Sequence, residues 1–590
     1  MKNWFKAVTL ALFSSLLIAS CAADAPQSET QSAAEIIAWP HQISDQLFIA
    51  RETLQPLYIM AYARGEKIEG VTKVEISVPA NWQIWRGSDA PPTLGVLPAG
   101  QPQILTFDLT PRSTKDKAGS KDYSAALSVG NVLLVARALP SAEAGSTLGL
   151  RWLRENQTLA ERKVALIPLE LPRAKAALTA STNVAIWMND PKFNAQTMTE
   201  VYRGLRRSGV DTVIITRAMF AQNRDALREL KMNVWISQWW GFREYLPIAP
   251  PKEAFSTMKD GSVNSKRWSP TYMAEGGADF VKGMENIADE LKAMDGIAGL
   301  LLDYEPGAEG LDADYGAASH AAFEKVIGEK IADWPAAVLP GGKLEEKWIN
   351  FRNDQSEAYA NWFRKILRDR APALQLAVST SGATGKPDDM NRRLAATDIT
   401  QLSRASDAAF PQLYSWTSEL PQQLDRFNEK LELGRSTLAG TQSKTYPLVG
   451  SMAGKAARSD PKYLRTQILD WWFHGADGVG IWQYFYGVDG RYMQMASELS
   501  ALFQAAGAQP KGAAPQMILS TQPTKTLQIF QRQSADGKTL FVGIFNYSAQ
   551  EIKVPLKVSA DSKWRLGKAE AATATIAPWS AQIVRLSAAD

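Results

Sequence analysis

The 590-residue chain has one cysteine, Cys21, so no disulfide can form within it. It has three histidines, His41, His320 and His474, none with a second His or Cys at a ligand spacing, which speaks against a histidine-based zinc site. Lys and Arg number 65 against 61 Asp and Glu, and no basic run stands out, so nucleic acid is not an expected partner. Past the first twenty residues, no stretch is apolar for long enough to span a bilayer. Neither a metal-binding cluster nor a phosphate-binding glycine loop occurs in a convincing context, so no cofactor is implied. Apolar residues make up 45% and charged residues 21%, the balance of a folded protein, and the length calls for two or three domains.

Tryptophan is abundant, at 19 residues. Aromatic faces stack on the apolar faces of sugar rings, so Trp collected at strand ends suits a carbohydrate ligand, although packing alone can account for any single one.

Residues 1–20 begin with Lys2 and Lys6 and continue as an apolar stretch from Ala7 to Ala19, the pattern of a secretory signal and too short for a membrane span. The quartet Ile18-Ala19-Ser20-Cys21 resembles the bacterial lipobox. The resemblance implies that Cys21 is acylated and that the protein is anchored by lipid; Ala22, where an inner-membrane retention signal commonly has aspartate, implies the outer membrane. Residues 21–42, rich at first in Ala, Ser, Gln and Glu, read as a tether.

Residues 43–172 alternate in short runs broken by Gly, Pro, Ser and Asn, such as Lys73-Val74-Glu75-Ile76-Ser77-Val78, and read as a β-sandwich. Val78-Pro79-Ala80-Asn81-Trp82 resembles the strand-to-turn corner of bacterial immunoglobulin-like modules. Over residues 180–507 apolar strands alternate with amphipathic helices eight times, predicting a (β/α)8 barrel. The strands are expected at Val184 to Asn189, Thr212 to Arg217, Asn233 to Gln238, Ala298 to Asp303, Leu374 to Ser379, Ala408 to Tyr414, Pro447 to Ser451 and Val479 to Tyr484. Long inserts follow the third strand (Gly241 to about Tyr272) and the fourth (Gly307 to about Lys347), on the face where barrel sites are built. After a Pro/Gly/Ala linker, residues 515–590 alternate again and read as a small C-terminal β-sandwich, with Asp536-Gly537 a hairpin turn.

The fourth barrel strand carries the chemistry. Leu300-Leu301-Leu302-Asp303-Tyr304-Glu305-Pro306 is apolar until its C-terminal end and then acidic. Alternation sends Asp303 and Glu305 to the same side, at the barrel mouth. Two carboxylates this close resist joint ionisation, leaving one protonated as an acid beside a charged partner, and Glu305, nearer the mouth, is the better-placed donor to a glycosidic oxygen.

The segment resembles glycoside hydrolase family 18, the chitinases and endo-β-N-acetylglucosaminidases, whose fourth strand ends in DxxDxDxE. Asp303-Tyr304-Glu305 matches the last three positions, while Ala298 and Leu301 stand where the family has its earlier aspartates. Gln412-Leu413-Tyr414 looks like the family's Met-x-Tyr, and Ile481-Trp482 is similar to the strand end whose tryptophan floors the sugar pocket. The resemblance implies a retaining, substrate-assisted reaction at a 2-acetamido sugar. The acetamido oxygen would attack, Glu305 would protonate the leaving group, Asp303 would orient the acetamido nitrogen and Tyr414 would hydrogen-bond the attacking carbonyl.

Further substrate-binding candidates are Trp187 and Asn189 on the first strand, Gln238, Trp239 and Trp240 ending the third, Gln412 on the sixth, and Trp482 and Tyr484 on the eighth. The expected partner is a polysaccharide or oligosaccharide. Two alternatives stay open: a glycosidase on plain sugars with a second carboxylate such as Asp190 or Asp489, and a surface lipoprotein that binds glycan without cleaving it. The first, if retaining, needs a glutamate ending the seventh strand, and Pro447-Leu448-Val449-Gly450-Ser451-Met452 has none.

Overall fold

The computed structural model describes residues 34–39, 45–64, 68, 70–89, 103–114, 127–171, 183–239, 248–249, 251–304, 313–382, 392–393, 396–414, 420–450, 461–507, 519, 521–559, 562–566 and 573–588. The expected signal segment, Cys21, Trp240 and Glu305 lie outside the described residues.

Eight parallel strands close into a barrel: β1 (Val184–Trp187), β2 (Thr212–Ile215), β3 (Asn233–Trp239), β4 (Gly299–Asp303), β5 (Gln375–Ser381), β6 (Ala408–Gln412), β7 (Leu448–Gly450) and β8 (Val479–Trp482). Pairing of β8 with β1 and of β5 with β6 completes the ring. The two-residue strand Lys444–Thr445 adds to the edge of β6. The helices that follow the strands in turn are α1 (Ala195–Arg207), α2 (Arg217–Glu229), α3 (Ala278–Lys292), α4 (Glu345–Arg370), α5 (Ile399–Leu402), α6 (Leu420–Gly440), α7 (Pro461–Phe473) and α8 (Gly490–Ala506). The fold class read from alternation is therefore the one present. The fifth helix is a single turn, capped by the Asp398 side chain on the Thr400 N–H.

Strand alternation separates two apolar regions. Ala185, Trp187, Ile214, Trp235, Leu301, Ala377, Phe410, Leu448 and Trp482 pack together inside the barrel. Val184, Ile186, Val213, Val234, Ile236, Leu300, Leu302, Val378 and Ile481 face outward against the helices. At this level β4 obeys the period of two: Leu300 and Leu302 go to the helices, and Leu301 goes to the interior.

The inserts join above the C-terminal ends of β3 and β4. A hairpin of Phe255–Thr257 and Val263–Trp268 follows β3, and the helix Ala317–Ile327 follows β4. Tyr315 N–H donates to the Thr257 carbonyl at 2.8 Å, and the Thr271 hydroxyl donates to the buried Asp314 carboxylate at 2.7 Å. A satellite core of Tyr315, Phe323, Trp348 and Phe351 supports them. Its lower wall is the first part of α4, a 26-residue helix that starts within the stretch expected to be insert.

The N-terminal sandwich has two five-stranded sheets around Trp82, Trp152, Leu57 and Ile76. The chain crosses between them at Pro79–Asn81, where Asn81 adopts φ 67° and Trp82 N–H closes the turn onto the Pro79 carbonyl. One edge strand, Ala34–Trp39, pairs with Gln55–Arg64 and so corrects the tether boundary at residue 42. Ala34, Ile36 and Ala38 bury one face of it, a short alternation hidden in small residues. The C-terminal unit is a four-stranded sheet facing a two-stranded one, and Gly537 takes φ 71° at its first hairpin. Both flanking units merge with the barrel core, through Leu54 and Trp85 on one side and Phe541 and Phe545 on the other.

Candidate functional site

The C-terminal ends of the strands collect polar and aromatic groups above the apolar interior. Asp303 ends β4 and is 5% exposed, with Trp239 of β3 and Ser379 of β5 at the same register on either side. Leu301, the inward residue before it, sits in the barrel's apolar interior, so alternation directs the Asp303 carboxyl inward at the mouth. Gln412, the last residue of β6, places its Nε2 3.3 Å from Asp303 Oδ1 and 3.2 Å from Ser379 Oγ.

Aromatic rings complete the mouth. Trp187 of β1 and Trp482 of β8 are register partners, and both belong to the interior cluster. Tyr414, just beyond β6, lies with its ring 5.2 Å from that of Trp482 at an interplanar angle of 32°. Trp239 is 37% exposed, the one large aromatic side chain among the described residues that is so open. Gly450 of β7 pairs with Trp482 and brings no side chain to that position of the ring. Asn189 lies half-buried just beyond β1.

Two expected contacts are corrected. Gln238 points the other way from Trp239: its Oε1 accepts from Arg217 Nη2 at 3.1 Å and its Nε2 donates to the Trp239 carbonyl at 3.0 Å. Arg217 itself pairs with Glu290 of α3, so the amide is held on the helix side of β3, as alternation about Trp235 and Trp239 demands. Tyr484 does not share a face with Trp482. The strand stops at Trp482, the chain turns into the helix Tyr484–Gly487, and the Tyr484 hydroxyl donates to the Leu54 carbonyl of the sandwich at 2.6 Å. Burial there pushes its phenol well above the usual range.

Sequence reasoning missed Ser379. It is fully buried and hydrogen-bonded next to Asp303, and its signal was the run Ser379-Thr380-Ser381, a polar end to an apolar strand like that of β4. The alternative carboxylates have structural work. Asp489 caps α8 by accepting the Arg491 N–H at 2.7 Å and ion-pairs with the same residue's guanidinium at 2.8 Å. Asp190 accepts the Lys192 N–H at 2.9 Å and pairs with its ammonium. Among the described residues, no group of three His, Cys, Asp or Glu side chains could hold a metal ion, and no helix is long and apolar enough to cross a membrane.

The architecture is thus an eight-stranded parallel α/β barrel between two β-sandwiches, with the buried Asp303 carboxylate at an aromatic mouth. No family model and no curated protein matches the chain. Among solved structures, the chain is similar to a GH42 β-galactosidase from G. stearothermophilus, at 10% identity and a TM-score of 0.49 over 69% of this chain and 99% of that one. It is also similar to the PgaB (BpsB) glycoside hydrolase domain from Bordetella bronchiseptica, at 14% identity and a TM-score of 0.39 over 54% of this chain and 97% of that one. A third likeness is to the β-galactosidase of the psychrophilic Marinomonas ef1, at 12% identity and a TM-score of 0.38; the match covers 55% of this chain and only 59% of that enzyme. At these values the likeness is one of overall fold.

Proposed function

We propose that the barrel mouth is the active site of a glycoside hydrolase that cleaves a polysaccharide or oligosaccharide at a 2-acetamido sugar. The observation that carries this reading is the buried, inward Asp303 carboxyl at the end of β4, with an amide N–H aimed at it and Trp187, Trp482, Tyr414 and Trp239 around it. A carboxylate in an aromatic, concave strand-end site suits a ligand that is apolar on its ring faces and develops positive charge in the transition state.

In this reaction the acetamido oxygen attacks the anomeric carbon as the bond to the leaving oxygen breaks, and the Glu305 carboxyl gives that oxygen its proton. Asp303 accepts the acetamido N–H and faces the growing positive charge, while the Tyr414 hydroxyl donates to the attacking carbonyl oxygen. Water then displaces the acetamido oxygen from the anomeric carbon, restoring the acetamido group, and gives a proton to Glu305, so configuration is retained. No protein nucleophile is needed, in keeping with β7 ending at Gly450. We further take Cys21 as an acylated anchor that holds the enzyme at the outer membrane; loss of labelled-palmitate incorporation in Cys21→Ser is the expected result.

The test is release of 4-nitrophenol from β-linked N-acetylglucosaminide, N-acetylgalactosaminide and their short oligomers, against plain glucoside and galactoside. Turnover confined to acetamido sugars is expected, with Glu305→Gln lowering kcat by about 10²–10⁴-fold while glycan binding persists. Cleavage of plain sugars would sink the mechanism and turn attention to Asp190. Binding without turnover, unchanged by Glu305→Gln, would make the protein a glycan-holding lipoprotein.

A further inference from the structure

A buried carboxyl group favours its neutral form, yet the proposed chemistry needs Asp303 ionised to accept an N–H and to face positive charge. Nothing beneath Asp303 on its own segment can help, because Leu301 and Ala298 both pack with the apolar interior. Support comes from the side. Gln412 Nε2 is within hydrogen-bonding distance of both Asp303 Oδ1 (3.3 Å) and Ser379 Oγ (3.2 Å). An amide nitrogen has two hydrogens and accepts nothing, so both oxygens must act as acceptors. Ser379 is held in register beside Asp303, and its carbonyl takes the Tyr304 N–H at 2.8 Å, which fixes the hydroxyl's position on β5.

We infer that Ser379 and Gln412 are positioning residues: the Ser379 hydroxyl orients the Gln412 amide, and the amide holds Asp303 as an ionised acceptor. The opposite amide orientation would bring the carbonyl oxygen against the carboxyl group, a contact that only a protonated Asp303 could satisfy. The pair therefore couples the geometry of β5 and β6 to the charge state of a residue on β4, using no charge of its own. Gln412 acts through Asp303 in this account, rather than as a sugar contact.

Among the described residues, alternation turns Trp239 of β3, Ser379 and Ser381 of β5, and Gln412 of β6 with Tyr414 beyond it toward the same mouth as Asp303. Of these the titratable side chain is Tyr414; along the chain, Tyr304 and Glu305 are the titratable neighbours of Asp303.

The inference rests on Asp303 being catalytic, so the experiment has two arms. The first is the pH dependence of kcat on an acetamido glycoside for the full-length enzyme, Gln412→Met and Ser379→Ala. A hydrogen bond to a charged group is worth enough to move the acid limb upward by about one pH unit in Gln412→Met. A smaller shift in the same direction is expected for Ser379→Ala. KM should stay within about threefold, because the amide does not touch substrate, while kcat on the acid limb falls up to about tenfold. The second arm needs no substrate: unfolding constants of Asp303→Asn, Gln412→Met and the double variant. These should fail to multiply by about fivefold or more if the two side chains are coupled. An acid limb that stays in place in an active enzyme, or constants that multiply, would overturn the inference. Absence of turnover on every glycoside would instead overturn the functional reading, and the unfolding cycle would still decide the pair.

Discussion

Tyr414 stands where one atom can be removed to test its role. Its ring packs against Trp482 and belongs to the edge of the interior cluster, so Tyr414→Phe keeps the packing and deletes only the hydroxyl. If that hydroxyl donates to the acetamido oxygen as it attacks, the bond strengthens on the way to the transition state and contributes to kcat more than to KM. We expect kcat to fall about 100-fold with KM little changed and the unfolding midpoint unmoved. Equal losses in KM with kcat intact would make Tyr414 a simple sugar contact. At this scale the sequence was legible wherever a residue stayed inside a regular strand. Asp303, Trp187, Gln412 and Trp482 face the interior because a period of two puts them there. Gln238 was misread because it lies between Ser237 and Trp239 at the end of the strand, where only every second residue faces inward. Tyr484 was misread because the eighth strand stops two residues short of it, and alternation has no meaning past a strand's last residue.

Among the elements, β4 is the one whose placement decides the chemistry, and Gly299 at its start sets how closely it approaches β5. Gly299 is the register partner of Gln375, and a Cβ built there would lie 2.0 Å from the Gln375 carbonyl oxygen. That neighbour is backbone in a closed barrel, so neither strand can yield without opening a ladder. We expect Gly299→Ala to destabilise the protein by about 1–3 kcal/mol in urea unfolding. Its folded fraction should also lose activity, because the displaced strand carries Asp303. A variant with wild-type midpoint and wild-type turnover would show that β4 has slack, and the tight register would lose its functional meaning. The eight strands were readable to within about two residues because each is a short apolar run bounded by a helix signal. The inserts were placed correctly but not drawn: their hairpin, their satellite core and the early start of α4 depend on contacts between segments far apart in the chain, such as Thr271 with Asp314. Likewise Ala34–Trp39 becomes a strand because Gln55–Arg64 offers it an edge.

For the whole molecule the question is what keeps three units acting as one body. The barrel and the C-terminal sandwich meet at a buried charge cluster. Asp470 of α7 is wholly buried and ion-pairs with Arg435 of α6 at 2.6 Å; the Tyr547 hydroxyl of the C-terminal unit donates to the same carboxylate oxygen, and His474 Nδ1 lies 3.3 Å from the other. Burial opposes ionisation of Asp470, but the hydrogen bonds from His474 and Arg435 outweigh it and hold its carboxyl below the usual range. Burial and the charge of Asp470 together push the Tyr547 phenol far upward, so it stays a donor throughout. Asp470→Asn leaves Arg435 with an uncompensated part of its charge at the domain junction, which should cost about 3 kcal/mol at pH 7. The pH dependence has a definite sign. A carboxyl with a depressed folded-state pKa contributes its stability in full above its unfolded value, about 3.9, and loses it as pH falls through the folded value. The gap in urea midpoint between wild type and Asp470→Asn should therefore be widest near neutrality and close as the pH drops below about 4. A gap that is the same at pH 7 and at pH 3 would mean that the variant acts through packing alone. In that case the aromatic contacts of Trp472 and Phe473 with Phe541 and Phe545, not the charge cluster, would be what joins the C-terminal sandwich to the barrel.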